Sequence, residues 1–275
     1  MHTIDPKKRP DSDVVTDDRS SKVEHDVVDT VTAEPAVPLP TALGDSALQS
    51  QTLESVAGAV NYHEWLTDLA LPFLGDHPME LGSGLGDYAQ RWLAAGIPEF
   101  TVTEVDPSRL GVLSRRFADE PRVHVEPIDI LNPPAAEYSS LVAFNVLEHI
   151  PDDVGALRAA HTVVRPGGAV VMFVPAFEFA MSKFDRAVGH VRRYTVSSMT
   201  TTMQAAGLTV EQAKYVNIPG LAAWFVGMRL LRMTPGEGRL LATWDSQVVP
   251  RARRWEDKHR APFGQSVFAV GRVPR

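Results

Sequence analysis

Cysteine is absent from the 275 residues of this chain, which excludes disulfides, thiolate metal sites, iron–sulfur clusters and a cysteine nucleophile. Long hydrophobic runs are missing too. The longest, residues 221–228, is far shorter than the roughly 20 residues that span a bilayer. The charged residues that follow Met1 leave no apolar segment for a secretory signal. These absences predict a soluble, cytoplasmic protein without a transmembrane segment.

A strong positive charge is also lacking. The formal net charge is −7, and more than half of the acidic excess lies in residues 1–40, whereas residues 251–275 are locally basic. Binding to nucleic acid depends on many contacts between basic side chains and phosphates. The composition therefore argues against a nucleic-acid partner and is compatible with a small-molecule substrate.

Residues 1–40 have no apolar periodicity and are rich in Asp, Ser, Thr and Pro, which predicts a disordered tail. A tail that folds over an active site is the alternative. Residues 41–275 contain enough apolar side chains for one large α/β domain. Helical patterns at 46–58 and 61–71 precede strands and helices that alternate as far as residue 174. This alternation predicts a doubly wound, mostly parallel sheet, with a ligand at the carboxyl ends of its strands.

The first of these strand ends is rich in glycine. It reads Glu80-Leu-Gly82-Ser83-Gly84-Leu-Gly86-Asp87, so the backbone can turn sharply and approach a ligand closely. A dinucleotide fingerprint needs a third glycine where Asp87 stands, and a phosphate loop needs a Gly-Lys-Ser/Thr ending. Both features are missing, which counts against a dinucleotide and against a nucleoside triphosphate.

The second strand end supplies carboxylates about 20 residues after the glycines, where an acid can accept both ribose hydroxyls of an adenosine ligand. Asp106 is the first choice for this role and Glu104 the second. Asp106 precedes Pro107, so the alternative is that it caps a helix. The third strand end reads Glu126-Pro-Ile-Asp129-Ile130, and the fourth Asn145-Val-Leu-Glu148-His149-Ile-Pro151.

These four strand ends, in this order, resemble the motifs of the class I S-adenosylmethionine (SAM)-dependent methyltransferases. The turn Arg165-Pro-Gly167-Gly168 before the fifth strand matches the family as well. The resemblance covers roughly residues 60–272 and implies a Rossmann-like sheet of seven strands with N-terminal helices. It also implies that SAM is the cofactor and S-adenosylhomocysteine the product.

The resemblance carries over to individual positions. Asp129 corresponds to an acid that accepts the adenine amino group, Ile130 to an apolar residue packed on the ring, and Asn145 to a residue beside the sulfonium. Tyr62 lies in a segment that resembles the helix covering the methionine end of SAM. The full predicted cofactor set is Tyr62, Glu80, Gly82, Ser83, Gly84, Asp106, Pro107, Asp129, Ile130 and Asn145.

A segment inserted after the fifth strand, residues 176–195, is predicted to be a lid. Its sequence Gly189-His190-Val-Arg192-Arg193-Tyr194 resembles a Gly-His-x-Arg-Arg-Tyr segment of one bacterial methyltransferase subgroup. The predicted catalytic residues are His149 and His190 as bases and Tyr194 to orient the acceptor. The predicted substrate-binding residues are Phe177, Phe179, Arg192, Arg193 and Trp224. For the two arginines, ion pairs with Asp185 or Glu178 are the alternative.

An apolar helix is predicted at 220–233. Core packing, a pocket wall, a membrane contact and the face of a homo-oligomer are its alternative roles. No His/acid cluster has the spacing of metal ligands along the sequence, so no metal is expected.

Several methyl acceptors are excluded. Methylation of cytosine C5 needs a cysteine, and methylation of nucleobase amino groups uses an Asn/Asp-Pro-Pro-aromatic motif that this chain lacks after its fourth strand. The sequence therefore predicts methylation of a small, partly apolar metabolite at O, N or C, in natural product biosynthesis. Two alternatives stay open: the same fold promoting a cyclisation or rearrangement with bound SAM, and a non-catalytic SAM-binding regulatory subunit.

Overall fold

The computed structural model describes residues 44–226 and 239–275. The predicted tail, residues 1–40, lies outside the described residues, and so does the end of the helix predicted at 220–233. The described helices are α1 Ser46–Val56, α2 Val60–Leu74, α3 Asp87–Ala94, α4 Pro107–Arg116, α5 Asp153–Val163, α6 Lys183–Ala187, α7 Val196–Ala205, α8 Ile218–Trp224, α9 Arg239–Thr243 and α10 Val249–Glu256. The strands are β1 Pro78–Leu81, β2 Phe100–Thr103, β3 Val123–Glu126, β4 Tyr138–Phe144, β5 Val164–Pro175, β6 Thr209–Val216 and β7 Ser266–Arg272.

The strands form one seven-stranded sheet in the order β3-β2-β1-β4-β5-β7-β6. The first five strands along the chain pair in parallel, and β7 is antiparallel to both of its neighbours. Because β2 and β4 flank β1 on opposite sides, the strand order reverses at β1, where doubly wound sheets bind their ligands. The predicted seven-stranded, doubly wound fold is confirmed.

Both faces of the sheet are covered, so the strands β1, β2 and β4 are buried at every position. Neighbouring residues of one strand point to opposite faces. Leu141 therefore belongs to the core cluster that includes side chains of α5 and α7, whereas Val142 belongs to the cluster that includes side chains of α2 and α3. Both side chains are fully buried. This two-sided packing fixes the carboxyl ends of β1 to β5 along one edge.

The segment predicted as a lid contains a 3₁₀ turn, Glu178–Ala180, and the short helix α6. A backbone bridge between Ala176 and Tyr194 joins its two ends. Whether this segment acts as a lid stays a prediction. The predicted apolar helix begins at Ile218, and each helix within residues 44–226 and 239–275 is too short or too polar to cross a membrane.

Candidate functional site

A cavity of about 940 Å³ opens at the carboxyl edge of the sheet, where the strand order reverses. Its lining comes from the ends of β1, β2, β4, β5 and β7, the loop after β3, the helices α1 and α2, and the segment after β5. On the β2–β3 side of β1 the lining includes Glu104 and Asp129, and on the β4–β5 side it includes Asn145 and Pro175. A long ligand can therefore cross over the loop that follows β1.

The glycine loop after β1 forms the floor between the two sides. Gly82 and Gly84 have φ angles of +65° and +57°, which residues with a Cβ rarely adopt. A Cβ on Gly82 would lie 2.7 Å from a methyl carbon of Val146. The Ser83 amide donates to the Thr103 carbonyl at 2.7 Å, so the loop is tied to the end of β2. Gly82, Ser83 and Gly84 all line the cavity.

Glu80 lines the cavity at the end of β1 with only 3% of its surface exposed. One carboxylate oxygen, Oε2, is buried and has no hydrogen-bond partner. Burial raises the pKa of this carboxyl group to about 8, and the Ser83 side chain opposes the rise. A buried acid with a free oxygen fits a ligand that brings a positive charge.

Glu104 is the carboxylate that enters the cavity at the end of β2. It is 5% exposed, and its Oε2 accepts a hydrogen bond from the Gly84 amide at 3.2 Å. Its Oε1 accepts from the amides of Val105 and Asp106. The guanidinium of Arg109, on α4, lies 3.2 Å from Glu104 and balances its charge. Arg109 lines the cavity as well.

Asp106, the first choice for the ribose, does not line the cavity. It is the N-cap of α4 and accepts from the amides of Ser108 and Arg109. Its other oxygen accepts from the Ser46 hydroxyl of α1 at 2.5 Å. Burial alone would raise the pKa of Asp106, but these hydroxyl and amide donors hold it well below its usual range. Pro107 opens α4 and is also outside the lining, so the helix-cap alternative describes this position.

The other predicted cofactor residues line the cavity. Asp129 and Ile130 follow β3, and Asp129 accepts from the Leu131 amide at 3.0 Å. Asn145 follows β4 with a φ angle of +55°, a strained conformation that its short polar side chain tolerates. Tyr62 on α2 is in the lining, and burial raises the pKa of its phenol beyond the usual range.

Three side chains with free acceptor atoms meet on the β4–β5 side. One atom from each of Glu148, His149 and His190 lies within 4.8 Å of the others. Both oxygens of Glu148 and Nδ1 of His149 are buried without a hydrogen-bond partner. Burial raises the pKa of Glu148 to about 7 and lowers that of His149 to about 3. The two imidazoles line the cavity, with their rings 4.6 Å apart and perpendicular.

Asp185 fixes the orientation of His190. Its Oδ1 lies 2.9 Å from Nδ1 of His190, which favours the neutral tautomer with the proton on Nδ1 and the lone pair on Nε2. Arg193 donates to the same carboxylate at 2.6 Å and is 7% exposed. Burial opposes ionisation, but the histidine and the arginine keep the pKa of Asp185 well below its usual range. The ion-pair alternative therefore describes Arg193, although its side chain also borders the cavity.

Four residues predicted for catalysis or substrate binding are outside the cavity lining: Tyr194, Arg192, Phe177 and Phe179. The Tyr194 hydroxyl donates to Asp153 at 2.9 Å, and Arg192 pairs with the same carboxylate. Phe177 stacks on Tyr215, and Phe179 is 60% exposed. The structure therefore does not bring these four side chains into the cavity, and their roles in catalysis or substrate binding stay predictions.

The cavity also has an extensive apolar lining. Trp224 lines it as predicted, and its indole donates to the Ala180 carbonyl at 3.2 Å. Sequence reasoning did not identify the other side chains of this apolar lining, since they come from separate parts of the chain. They are Val56, Ile150, Phe184, Val188, Ala223, Leu240, Leu241 and Trp244. The sequence patterns also did not identify Arg109 and Glu148 as residues of the site, although Glu148 lies in the motif that follows β4.

Comparison with known proteins identifies the central segment. Residues 79–170 match the family profile of a methyltransferase domain. A ubiquinone biosynthesis O-methyltransferase from Aeromonas salmonicida is 26% identical over 182 residues, which are 59% of this chain and 75% of that protein. The lovastatin nonaketide synthase mokA of Monascus pilosus is 30% identical over 104 residues, 34% of this chain and 3% of that protein.

A solved structure shares the fold. It is an S-adenosylmethionine-dependent methyltransferase from Mesorhizobium loti, with a TM-score of 0.53 and 16% sequence identity, and the match covers 78% of this chain and all of that one. The matched domain contains β1, the glycine loop, α3, β2, α4, β3, β4 and α5, which together carry most of the cavity's polar side chains. Residues 79–170 therefore match a methyltransferase domain, and the fold of most of the chain is the one that this methyltransferase structure has.

Proposed function

We propose that this enzyme transfers the methyl group of SAM to an oxygen atom of a small, partly apolar acceptor. The observation that carries the proposal is the division of one cavity. Charged lining residues such as Glu80, Glu104 and Asp129 come from β1 and the segments after β2 and β3. Apolar lining residues such as Phe184, Val188 and Trp224 come from the segment after β5 and from α8. A cavity of about 940 Å³ is near the upper end of the roughly 300–1,000 Å³ typical of small-ligand sites, which is compatible with a cofactor and an acceptor together.

The residues over β1 to β3 fit SAM. The free oxygen of Glu80 suits the α-ammonium group, and the glycine loop leaves room that a Cβ would fill. We assign the ribose hydroxyls to Glu104 in place of Asp106, because Glu104 lines the cavity and Asp106 does not. Asp129 and Ile130 remain our assignment for the adenine. Bound SAM supplies a methyl group already activated on a sulfonium, so the chain has to align the acceptor and exclude water.

The acceptor is assigned to the apolar end. Its hydrocarbon part would contact side chains such as Phe184, Val188 and Trp224, which line that end. Its reacting oxygen would face the free nitrogens of His149 and His190, where a hydroxyl can lose its proton. The name of the Aeromonas relative, an O-methyltransferase, favours oxygen, and the synthase relative favours a natural product as the acceptor class.

The cofactor assignment is tested by the affinity for S-adenosylhomocysteine, measured by calorimetry. Glu104→Gln should weaken binding at least tenfold, because a hydrogen bond to a charged group contributes about 1.5–3 kcal/mol. Asp106→Asn is the matched control and should change the affinity less than twofold. If Asp106→Asn weakens binding and Glu104→Gln does not, the ribose hydroxyls would be assigned to Asp106. Unchanged affinity in both variants would place the cofactor elsewhere.

The reaction is tested with a panel of phenols and other hydroxylated, partly apolar compounds, by following the formation of S-adenosylhomocysteine. His190→Gln should lower turnover at least 100-fold for the true acceptor and leave the affinity for S-adenosylhomocysteine within twofold. Cofactor binding with no methylated product from any acceptor would contradict the proposal and favour the non-catalytic alternative. An isomerised product without methyl transfer would favour the rearrangement alternative.

A further inference from the structure

The cluster of Glu148, His149 and His190 has a feature that cofactor binding does not explain. Glu148 is completely buried, yet neither of its carboxylate oxygens has a hydrogen-bond partner. An unpaired buried carboxylate costs several kcal/mol if nothing compensates it. Arg193 does not compensate it directly, because its guanidinium donates to Asp185 and to the Ala176 carbonyl. Glu148 therefore has two free ligand atoms, and one of them, Oε1, lies 3.7 Å from Nε2 of His190.

We propose that Glu148, His149 and His190 bind a first-row transition-metal dication, of which Zn²⁺ is the representative. Two imidazoles and one carboxylate are a donor set that such ions take in catalytic sites, with a further position open. A hard ion such as Mg²⁺ prefers oxygen ligands and is disfavoured here.

The distances suit one ion. Ligand bonds of about 2.1 Å at near-tetrahedral angles put neighbouring ligand atoms about 3.4 Å apart. Nε2 of His190 lies 3.7 Å from Oε1 of Glu148, and the three ligand atoms are all within 4.8 Å of one another. Shifts of roughly 1 Å would let all three side chains reach the same ion.

Neighbouring groups hold both histidines in the form that binds a metal. Asp185 accepts the Nδ1 proton of His190, so Nε2 has its lone pair free. His149 makes a hydrogen bond with the Val188 backbone, and its Nδ1 has no partner. Such outer hydrogen bonds orient ligating histidines and increase their basicity.

The ion would have its open position toward the acceptor. His149 and His190 line the cavity, whereas Glu148 lies behind them outside the lining. An acceptor hydroxyl at that position would release its proton to water, and its oxygen would then take the methyl group as the carbon–sulfur bond breaks. This consequence rests on the proposed function, but the binding of the ion does not.

A second cluster of possible ligands in the chain serves as a control for metal binding at the protein surface. His77, Glu99 and His124 form a second His/Glu cluster within the described residues. There the imidazole nitrogens have hydrogen-bond partners. Nε2 of His124 lies 2.8 Å from Glu99, and Nε2 of His77 lies 3.0 Å from the Thr101 hydroxyl. Glu99 and His124 are also about half exposed. We expect this cluster to bind metal weakly.

The test is calorimetric titration of the metal-depleted full-length protein with Zn²⁺ and, separately, with Mg²⁺. We expect one Zn²⁺ per chain and at least 100-fold weaker binding of Mg²⁺. His149→Gln and His190→Gln should each weaken Zn²⁺ binding at least tenfold, and His124→Ala less than twofold. Loss of the ion in His124→Ala alone, or affinity for Zn²⁺ unchanged in both glutamine variants, would overturn the proposal.

Two further measurements exclude failures of folding. Each variant is titrated with S-adenosylhomocysteine, whose affinity reports an intact cofactor site. The protein without substitutions is also loaded with Co²⁺. The visible absorption bands of the ion should change because nitrogen ligands bind it, and the bands of the bound ion should disappear on addition of one equivalent of Zn²⁺. A Co²⁺ spectrum identical to that of the free ion would overturn the proposal. Zn²⁺ binding without any affinity for S-adenosylhomocysteine would instead contradict the proposed function and still support the metal site.

Discussion

Glu80 is a residue whose chemistry depends strongly on its surroundings. Burial at the end of β1 raises its pKa to about 8, whereas the ordinary value is 4.5. Between these two values the folded chain holds a proton that the unfolded chain has lost, so stability decreases as the pH rises from 4.5 to 8. A ligand that places a positive charge beside Glu80 would reverse the preference and release that proton.

The release of this proton can be measured. At pH 7, binding of S-adenosylhomocysteine should release close to one proton, because its α-ammonium group stabilises the ionised form of Glu80. The measurement is calorimetry in two buffers with different ionisation enthalpies. Glu80→Gln should abolish the release. The control is Glu64→Gln, since the side chain of Glu64 on α2 is 56% exposed. Equal proton release by Glu80→Gln and the unmodified protein would contradict the assignment of the ammonium group to Glu80.

At the scale of elements, two helices that border the cavity donate amides of their first turn to carboxylates from distant parts of the chain. The preceding residue of α2, Ala59, offers no side-chain cap. The buried carboxylate of Asp245 instead accepts from the amides of Asn61 and Tyr62, at 3.0 and 2.9 Å. Glu256, at the end of α10, does the same for the amide of Ile218 at the start of α8. These contacts position Tyr62 and Trp224 in the cavity wall.

Removal of the α2 cap should affect both stability and binding. Asp245→Ala should lower the free energy of unfolding by about 2 kcal/mol, because it leaves buried backbone donors unpaired. It should also weaken the binding of S-adenosylhomocysteine, since Tyr62 loses its support. Urea denaturation and calorimetry check the two effects. Asp257→Ala removes the same charge from an exposed position and should change neither quantity appreciably. Identical behaviour of the two variants would rule out the capping role.

For the whole molecule, the cavity connects segments that are far apart in sequence. Its lining extends from Gln49 on α1 to Ser266 at the start of β7. The helices α1 and α2, the strand ends of the sheet and the C-terminal elements therefore share one wall. A ligand that fills this cavity contacts all of these elements at once, so its binding should stabilise the entire domain.

This stabilisation predicts a thermal shift. S-adenosylhomocysteine at 100 times its dissociation constant should add about 2.7 kcal/mol to the free energy of unfolding. For a domain of this size that corresponds to an increase in Tm of about 5–10 °C. Differential scanning calorimetry measures the shift, and Glu104→Gln should need at least tenfold more ligand to reach it. A Tm that does not respond to saturating S-adenosylhomocysteine would contradict binding in this cavity.

Local patterns in the sequence were enough to predict the sheet, the glycine loop and most of the strand-end residues. They could not decide between Glu104 and Asp106, which both follow β2 within three residues. That choice depends on Arg109 and Ser46, which reach these carboxylates from α4 and α1. Residue spacing along the sequence also could not indicate the proposed metal site. Spacing rules detect ligands on one element, whereas His190 approaches Glu148 and His149 from the segment after β5.

The amino-acid sequence by itself determined the alternation of strands and helices and the position of the glycine loop. Hydrophobic alternation and glycine spacing act through backbone geometry, which is a local property. Only the tertiary structure decided which charged groups are buried and which atoms they face. The pKa of Glu80, the helix-cap role of Asp106 and the unpaired oxygens of Glu148 depend on desolvation and on charges from distant segments, because electrostatic interactions act through space and not along the chain.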